Sequence, residues 1–155
     1  MTRNAKLARI DLRHVNLAGD HLEGAELTEA VLHHATLIGT NLAGANLQRA
    51  DLHADNLRRA ILRGACLRQS NLRQANLRGT DLAGADLRDA DLRDADLTDA
   101  DLTGADLTEA DLSGTNLGSV RSLAGARLER TRGLAAAGAP TNGATARPPG
   151  HPAMP

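Results

Sequence analysis

The sequence predicts an all-β solenoid, and three observations predict it. Leucine stands at position 7 and at every fifth position through 117, 23 registers without a gap. Two residues before most of these leucines stands a small residue, usually Ala, as at Ala25, Ala30, Ala35, Ala85, Ala90 and Ala95. The 155-residue chain is 41% hydrophobic yet contains no Phe, Tyr or Trp. A period of five suits neither regular element. Five helical residues turn about 140° beyond a full circle, so the leucines would spiral around a helix. In a flat strand they would alternate faces. Leucine-rich repeats need a period of about 20–29 residues. A chain that turns a corner every five residues satisfies the pattern. Leu and the small residue two positions earlier then point inward together, and the other three residues face water. One Leu and one small residue per corner give a core of uniform volume, which does not call for aromatics to fill irregular space.

Residues 1–4 precede the repeat and are expected to form a flexible N-terminus. From 5 to 120 the register is regular, and ADLRDADLRDADLTDADLTGADL at 85–107 reads A-(D/N)-L-x-x throughout. This stretch and its 23 registers resemble the pentapeptide repeat family over residues 5–120. The resemblance implies a right-handed quadrilateral β-helix with four pentapeptides per coil. It implies about six coils and a rod roughly 25–30 Å long at the ~4.8 Å spacing of strands. After Leu117 the register slips. Ser122 stands where a leucine is due, and Leu123 and Leu128 come one residue late. A one-residue insertion followed by a terminal partial coil over 121–134 accounts for this. Ile10 and Val15 near the start and Val120 near the finish put extra bulk at inward positions of the end coils. An open solenoid end is a sheet edge, which makes it a candidate homodimer surface. All five prolines fall within 135–155, an Ala/Gly/Pro-rich segment expected to be a disordered tail.

Composition narrows the function. Eighteen Lys and Arg against 19 Asp and Glu leave a net charge of −1, which points to no polyanionic partner. Without aromatics there is no cation cage and no base-stacking platform. The single Cys66 forms no internal disulfide and suits a reducing compartment. The opening MTRNAKLARID lacks the apolar run of a signal peptide, and no stretch approaches the roughly 18 apolar residues of a membrane span. The expected location is the cytoplasm, with no membrane partner. No nucleophile–base pair, phosphate loop or metal motif is visible, so the chain is expected to be no enzyme and to need no cofactor.

Several residues depart from the pattern or group by it. Asp20 and Asp55 take inward small positions. Each is expected to be a buried carboxylate of raised pKa, or to bulge toward water or a backbone N–H; Thr40, one coil from Asp20, is a candidate hydrogen-bond partner. A 20-residue coil stacks His14 on His34 and His33 on His53, outward on a rigid wall, without a tetrahedral metal arrangement. Cys66 lies outward with Arg63 and Arg68 nearby, and cationic neighbours favour thiolate. Arg58, Arg63, Arg68, Arg73 and Arg78 follow successive leucines and form a belt. Residues 49–78 carry a net +5. Residues 81–120 carry −9, with Asp81, Asp86, Asp91, Asp96, Asp101, Asp106 and Asp111 all just before leucines. The belt and the aspartates are the candidate interaction surface of a non-enzymatic structural or protein-interaction scaffold, whose expected partner is another protein. Direct nucleic-acid binding is not expected, because a ring of Arg meets few phosphates and the adjacent acids oppose approach. The family resemblance implies an alternative. Some members associated with quinolone resistance resemble duplex DNA in size and charge and occupy the DNA site of DNA gyrase. The acidic zone is compatible with such a mimic. Its extent of about two coils, roughly 10 Å, and the adjoining Arg belt count against it.

Overall fold

A computed structural model describes residues 3–134. The expected tail over 135–155 lies outside the described residues, as do Met1 and Thr2. From residue 6 to 115 the repeats share one plan: an extended pre-leucine residue, the leucine, a two-residue turn and the inward, usually small, residue. The β structure is a set of single-residue parallel bridges rather than long strands, because a corner every five residues leaves no room for more. The bridges join residues 20 apart, from Lys6 with Glu26 and Asp11 with Val31 through Asp91 with Asp111. Each register of 20 residues therefore contains four turns.

The backbone hydrogen bonds explain the spacing. In the repeat 41–45, the Asn41 N–H donates to the Asp20 carbonyl at 2.9 Å, one coil back. The Leu42 and Gly44 N–H groups donate to the Ile61 and Arg63 carbonyls, one coil forward, at 2.7 and 2.9 Å. The Ala45 N–H closes the turn on the Leu42 carbonyl at 3.0 Å. The fifth donor, the Ala43 N–H, meets the Asn41 Oδ1 at 3.1 Å. All five N–H groups are thus satisfied, three of them by neighbouring coils.

That fifth bond gives Asp and Asn their place before leucine. Every Asp or Asn there from Asp11 to Asn116 accepts the N–H two residues on through its Oδ1, an Asx turn. Ser122 does the same with its hydroxyl at 3.2 Å. The second turn residue has positive φ in each repeat. On one corner Gly24, Gly44, Gly64, Gly84 and Gly104 supply it, and no Cβ penalty arises there.

Leucines from Leu22 through Leu112 are all but fully buried and stack on one another, with Ala between them. Inward hydroxyls are paired with backbone. Thr40 and Thr80 donate to the carbonyls of Leu17 and Leu57 in the previous coil, at 2.8 and 3.0 Å. Ser70 and Thr115 donate to Leu67 and Leu112 of their own turn, at 2.8 and 2.7 Å.

The irregular stretches behave as follows. A 3₁₀ turn, Leu117–Ser119, absorbs the inserted residue, and its N-cap Asn116 accepts the Gly118 N–H. Beyond it the bridges run 21 residues apart: Asp101 with Ser122, Asp106 with Arg127, Asp111 with Arg132. Ile10, Val15, Val120 and Leu134 pack partly buried against the core at its two ends. The ladder begins at Asn4, whose N–H donates to the Glu23 carbonyl at 2.8 Å. Among the described residues no helix is long and apolar enough to cross a membrane.

Asn76 tests the Asx turn in the middle of the rod, where its Oδ1 accepts the Arg78 N–H at 3.3 Å. Asn76→Ala is expected to lower stability by about 1 kcal/mol in urea unfolding, and Asn76→Asp by much less, because the aspartate keeps the acceptor.

Candidate functional site

The exterior carries the charged residues, and the register decides which of them meet. The seven pre-leucine aspartates are half-buried, because each turns its Oδ1 back to its own turn. Bridges stack Asp81 on Asp101, Asp86 on Asp106 and Asp91 on Asp111. Six of the seven also face an arginine. Arg88 and Arg93 reach back two residues to Asp86 and Asp91, both at 2.5 Å. Arg63 and Arg78 reach Asp81 and Asp96 in the next coil, at 2.7 and 3.4 Å. From beyond the insertion, Arg127 and Arg132 reach Asp106 and Asp111, at 3.3 and 4.0 Å. The guanidinium hydrogen bonds hold the carboxyls of Asp86 and Asp91 below the usual carboxylate range. Asp101 is held low by the Thr103 hydroxyl and N–H.

The arginine belt is therefore divided. Arg63 and Arg78 are spent on the aspartate ladder. Arg58, Arg68 and Arg73 form no ion pair among the described residues. Arg58 and Arg78 stand one coil apart in the same column. The Nε atoms of Arg68 and Arg73 are buried without a hydrogen-bond partner.

The windows of +5 and −9 thus overlap across the coil spacing, and much of the acid is neutralised. The exposed acids lie elsewhere. Asp89, Asp94 and Asp99 occupy the second turn position with φ near 58°, fully at the surface and without an ion pair among the described residues. Glu109, next along, pairs with Arg130. Sequence reasoning passed over these corner acids in favour of the more regular pre-leucine series. The recurring D-A at 89–90, 94–95 and 99–100 was their signal.

Two shallow depressions open beside them. One, of about 230 Å³, lies at the insertion between Asp94, Asp96, Gly114, Asn116 and Ser119. The other, of about 190 Å³, lies between Asp89, Asp91, Arg93, Glu109, Asp111 and Arg132. Among the described residues no group of three or more His, Cys, Asp or Glu side chains is placed to hold a metal ion.

The histidines do gather. His14 stacks on His34 with ring centres 5.5 Å apart and planes within 5°. His33 meets both rings edge-on, at 6.1 and 5.4 Å, and His53 meets His34 at 6.0 Å. The His53 Nδ1 lies 3.0 Å from the Arg73 carbonyl. Stacked parallel rings present faces to each other, so their nitrogens do not converge on one point. Cys66 is free and half-buried, bridged between Asn46 and Asp86.

Among the described residues Asp55 is the one fully buried carboxylate, 1% exposed, in the core column that holds Ala35 and Ala75 in the coils on either side. Its Oδ1 accepts the Ala35 N–H at 2.8 Å, the backbone contact expected of a bulged inward aspartate. Its Oδ2 is buried with no partner among the described residues. Burial pushes its pKa up to about 8, and the nearby Asp51 charge adds to the rise. Asp20, at the open end, is only partly buried.

Comparison with known proteins agrees with this architecture. A family model described as pentapeptide repeats, in eight copies, matches overlapping segments from 5–42 through 95–132. No curated protein matches the chain. Among solved structures, HetL is a pentapeptide repeat protein involved in heterocyst differentiation regulation in the cyanobacterium Nostoc sp. strain PCC 7120. It is 32% identical at a TM-score of 0.39, over 83% of this chain and 65% of HetL. The chain thus spans less than two thirds of HetL. Rfr23, a pentapeptide repeat protein from the cyanobacterium Cyanothece 51142, is 28% identical at a TM-score of 0.49, over 84% of this chain and 88% of its own. Trypsin-treated QnrB1, a plasmid-mediated fluoroquinolone resistance protein, is 16% identical at a TM-score of 0.45, over 85% of this chain and 80% of its own.

Asp55 gives the protein a pH signature of definite sign. Its folded pKa lies above the unfolded value, so its contribution to stability is full below about pH 4 and is lost as pH rises to about 8. Asp86, Asp91 and Asp101 act oppositely: their contribution holds above the usual carboxylate range and is lost on further acidification. Thermal melts at pH values between 4 and 9 are expected to show the Asp55 contribution to wild-type stability falling from about pH 4 to about pH 8 and levelling off above. Asp55→Ala, which matches its column neighbours, is expected to flatten that fall and to melt higher than wild type at pH 9.

Proposed function

Because the chain belongs to the pentapeptide repeat family, whose model matches most of it, we propose that it is a non-enzymatic protein-interaction scaffold. The observation that carries this reading is the filled core. From Leu22 to Leu112 the leucines, with alanine at most of the small positions, fill the interior to near-zero exposure, so recognition falls to the outside. The outside is a rigid lattice in which successive coils hold side chains at a fixed spacing of ~4.8 Å. We read the coil, with its four turns per 20 residues, as the right-handed quadrilateral form in about six coils. We read the location as a reducing one, the cytoplasm, from the lone Cys66. A partner protein would meet the unpaired corner acids Asp89, Asp94 and Asp99 and the unpaired Arg58, Arg68 and Arg73.

The second reading is a mimic of duplex DNA directed at DNA gyrase. The stacked aspartates favour it, since Asp81 with Asp101, Asp86 with Asp106 and Asp91 with Asp111 repeat negative charge along the rod. It stands second because six of the seven aspartates pair with arginines of the same rod.

Two variants separate the surfaces without breaking turns. Asp86, Asp91, Asp96 and Asp101 changed together to Asn keep the Asx acceptor, as Asn71 and Asn76 do naturally. Asp89, Asp94 and Asp99 changed to Asn keep the left-handed corner, which Asn tolerates. In affinity capture from the native cell, the corner variant is expected to lose the partner and the ladder variant to retain it. Retention by both variants would overturn the scaffold surface proposed above. Inhibition of gyrase supercoiling by wild type, relieved in the ladder variant, would instead establish the mimic.

A further inference from the structure

One column of the exterior is complementary to itself when reversed. In successive coils it reads Ile38–Gly39, Arg58–Arg59, Arg78–Gly79 and Thr98–Asp99, and it ends at the 3₁₀ turn Leu117–Ser119. The Asp99 N–H donates to the Ser119 carbonyl, which puts that turn next in the column. The geometry points to this column as a docking surface for a second copy of the same chain, lying antiparallel and side by side.

The argument is one of register. A two-fold axis at the level of Gly79 puts Arg59, one coil to one side, opposite Asp99 of the second copy, and puts Asp99 opposite its Arg59. Neither side chain has an ion-pair partner among the described residues, so both are available. The same operation sets Asn56 against Asp96 and Arg58 against Thr98, which are pairs of donor and acceptor. It sets Ile38, 37% exposed and one of two large apolar side chains so exposed among the described residues, against the Gly118–Ser119 turn. At the axis itself stands a glycine. A Cβ there would meet only the Arg59 Cγ, at 3.6 Å, and the glycine lies in a depression of about 100 Å³ lined also by Arg58, Arg59, Arg78 and Asp99. The two rods can therefore approach closely at the centre. Arg78 faces its own copy across the axis, but its charge is already balanced by Asp96 at 3.4 Å.

Two other turn columns do not close in this way. Reversing the column of Glu29, Arg49, Gln69, Asp89 and Glu109 about Gln69 matches Arg49 with Asp89 but opposes Glu29 to Glu109. On the glycine corner Glu23 and Arg63 would match about Ala43–Gly44, but both are already paired within the rod, Glu23 with Arg3 at 3.2 Å and Arg63 with Asp81 at 2.7 Å. The contact is narrow and its ion pairs are exposed, so the association is weak, in the low range of interface size, and screened by salt.

Sedimentation equilibrium on the full chain tests it, at about 20 mM and about 500 mM NaCl, where the screening lengths differ several-fold. Wild type is expected to dimerise at low salt and to dissociate at high salt. Arg59→Asp and Asp99→Arg each oppose like charges at two symmetry-related contacts, and each is expected to weaken dimerisation by about tenfold or more. The double reversal restores opposite charges and is expected to restore dimerisation to near the wild-type level. Far-ultraviolet circular dichroism checks that each variant keeps the solenoid. A monomer at every concentration in low salt overturns the proposal. So does a dimer indifferent to either single reversal, as end-to-end stacking would be. So does a double reversal as weak as the single ones.

Discussion

The hydrogen bonds between coils govern the rest of this molecule. Three of the five N–H groups in a repeat such as 41–45 find their acceptors only in a neighbouring coil. An isolated coil would leave them to water and would gain too little from one leucine per corner to hold its shape. Stability therefore belongs to the stack, in the nearest-neighbour manner of solenoids. The same bonds lock residue i beneath residue i+20, and every exterior feature inherits that register. The stacked rings of His14 and His34 follow from it. So do the aspartate ladder, the Arg63–Asp81 pair and the reversible column around Gly79.

The register also gives one residue two duties. The aspartate before each leucine first serves the backbone, by accepting the N–H two residues on. Its charge comes second, and an arginine within reach of a half-buried carboxylate offsets most of it. A row of aspartates on paper is therefore not a row of free negative charges in space. Free charge appears at the corners, where the side chains of the second turn residues Asp89, Asp94, Asp99 and Arg59 are exposed and, among the described residues, accept no backbone N–H. The filled interior reinforces this division, since among the described residues only one carboxyl, that of Asp55, is fully enclosed, and its second oxygen has no partner there.

Much of the architecture could be read from the chain alone, and the reason is local. A turn every five residues imposes a side-chain period of five, so Leu7 through Leu117 and the alanines two before them declare both the corner and the core. The slip at Ser122 was legible for the same reason, and beyond it the bridges join residues 21 apart instead of 20. The inward place of Asp55 and the stacking of His14 on His34 follow from counting. What counting could not supply is which charges meet. Arg63 finds Asp81 eighteen residues on, and Arg127 reaches Asp106 only because the insertion has shifted the last coil. Those contacts depend on how far a long guanidinium side chain extends across the gap between coils, and on which oxygen the Asx turn leaves free. The sequence by itself determined the period, the core and the break in register, because these are set by backbone geometry within five residues. The tertiary structure alone decided which charges are neutralised and which remain exposed, because that depends on distances between coils that no one-dimensional spacing contains.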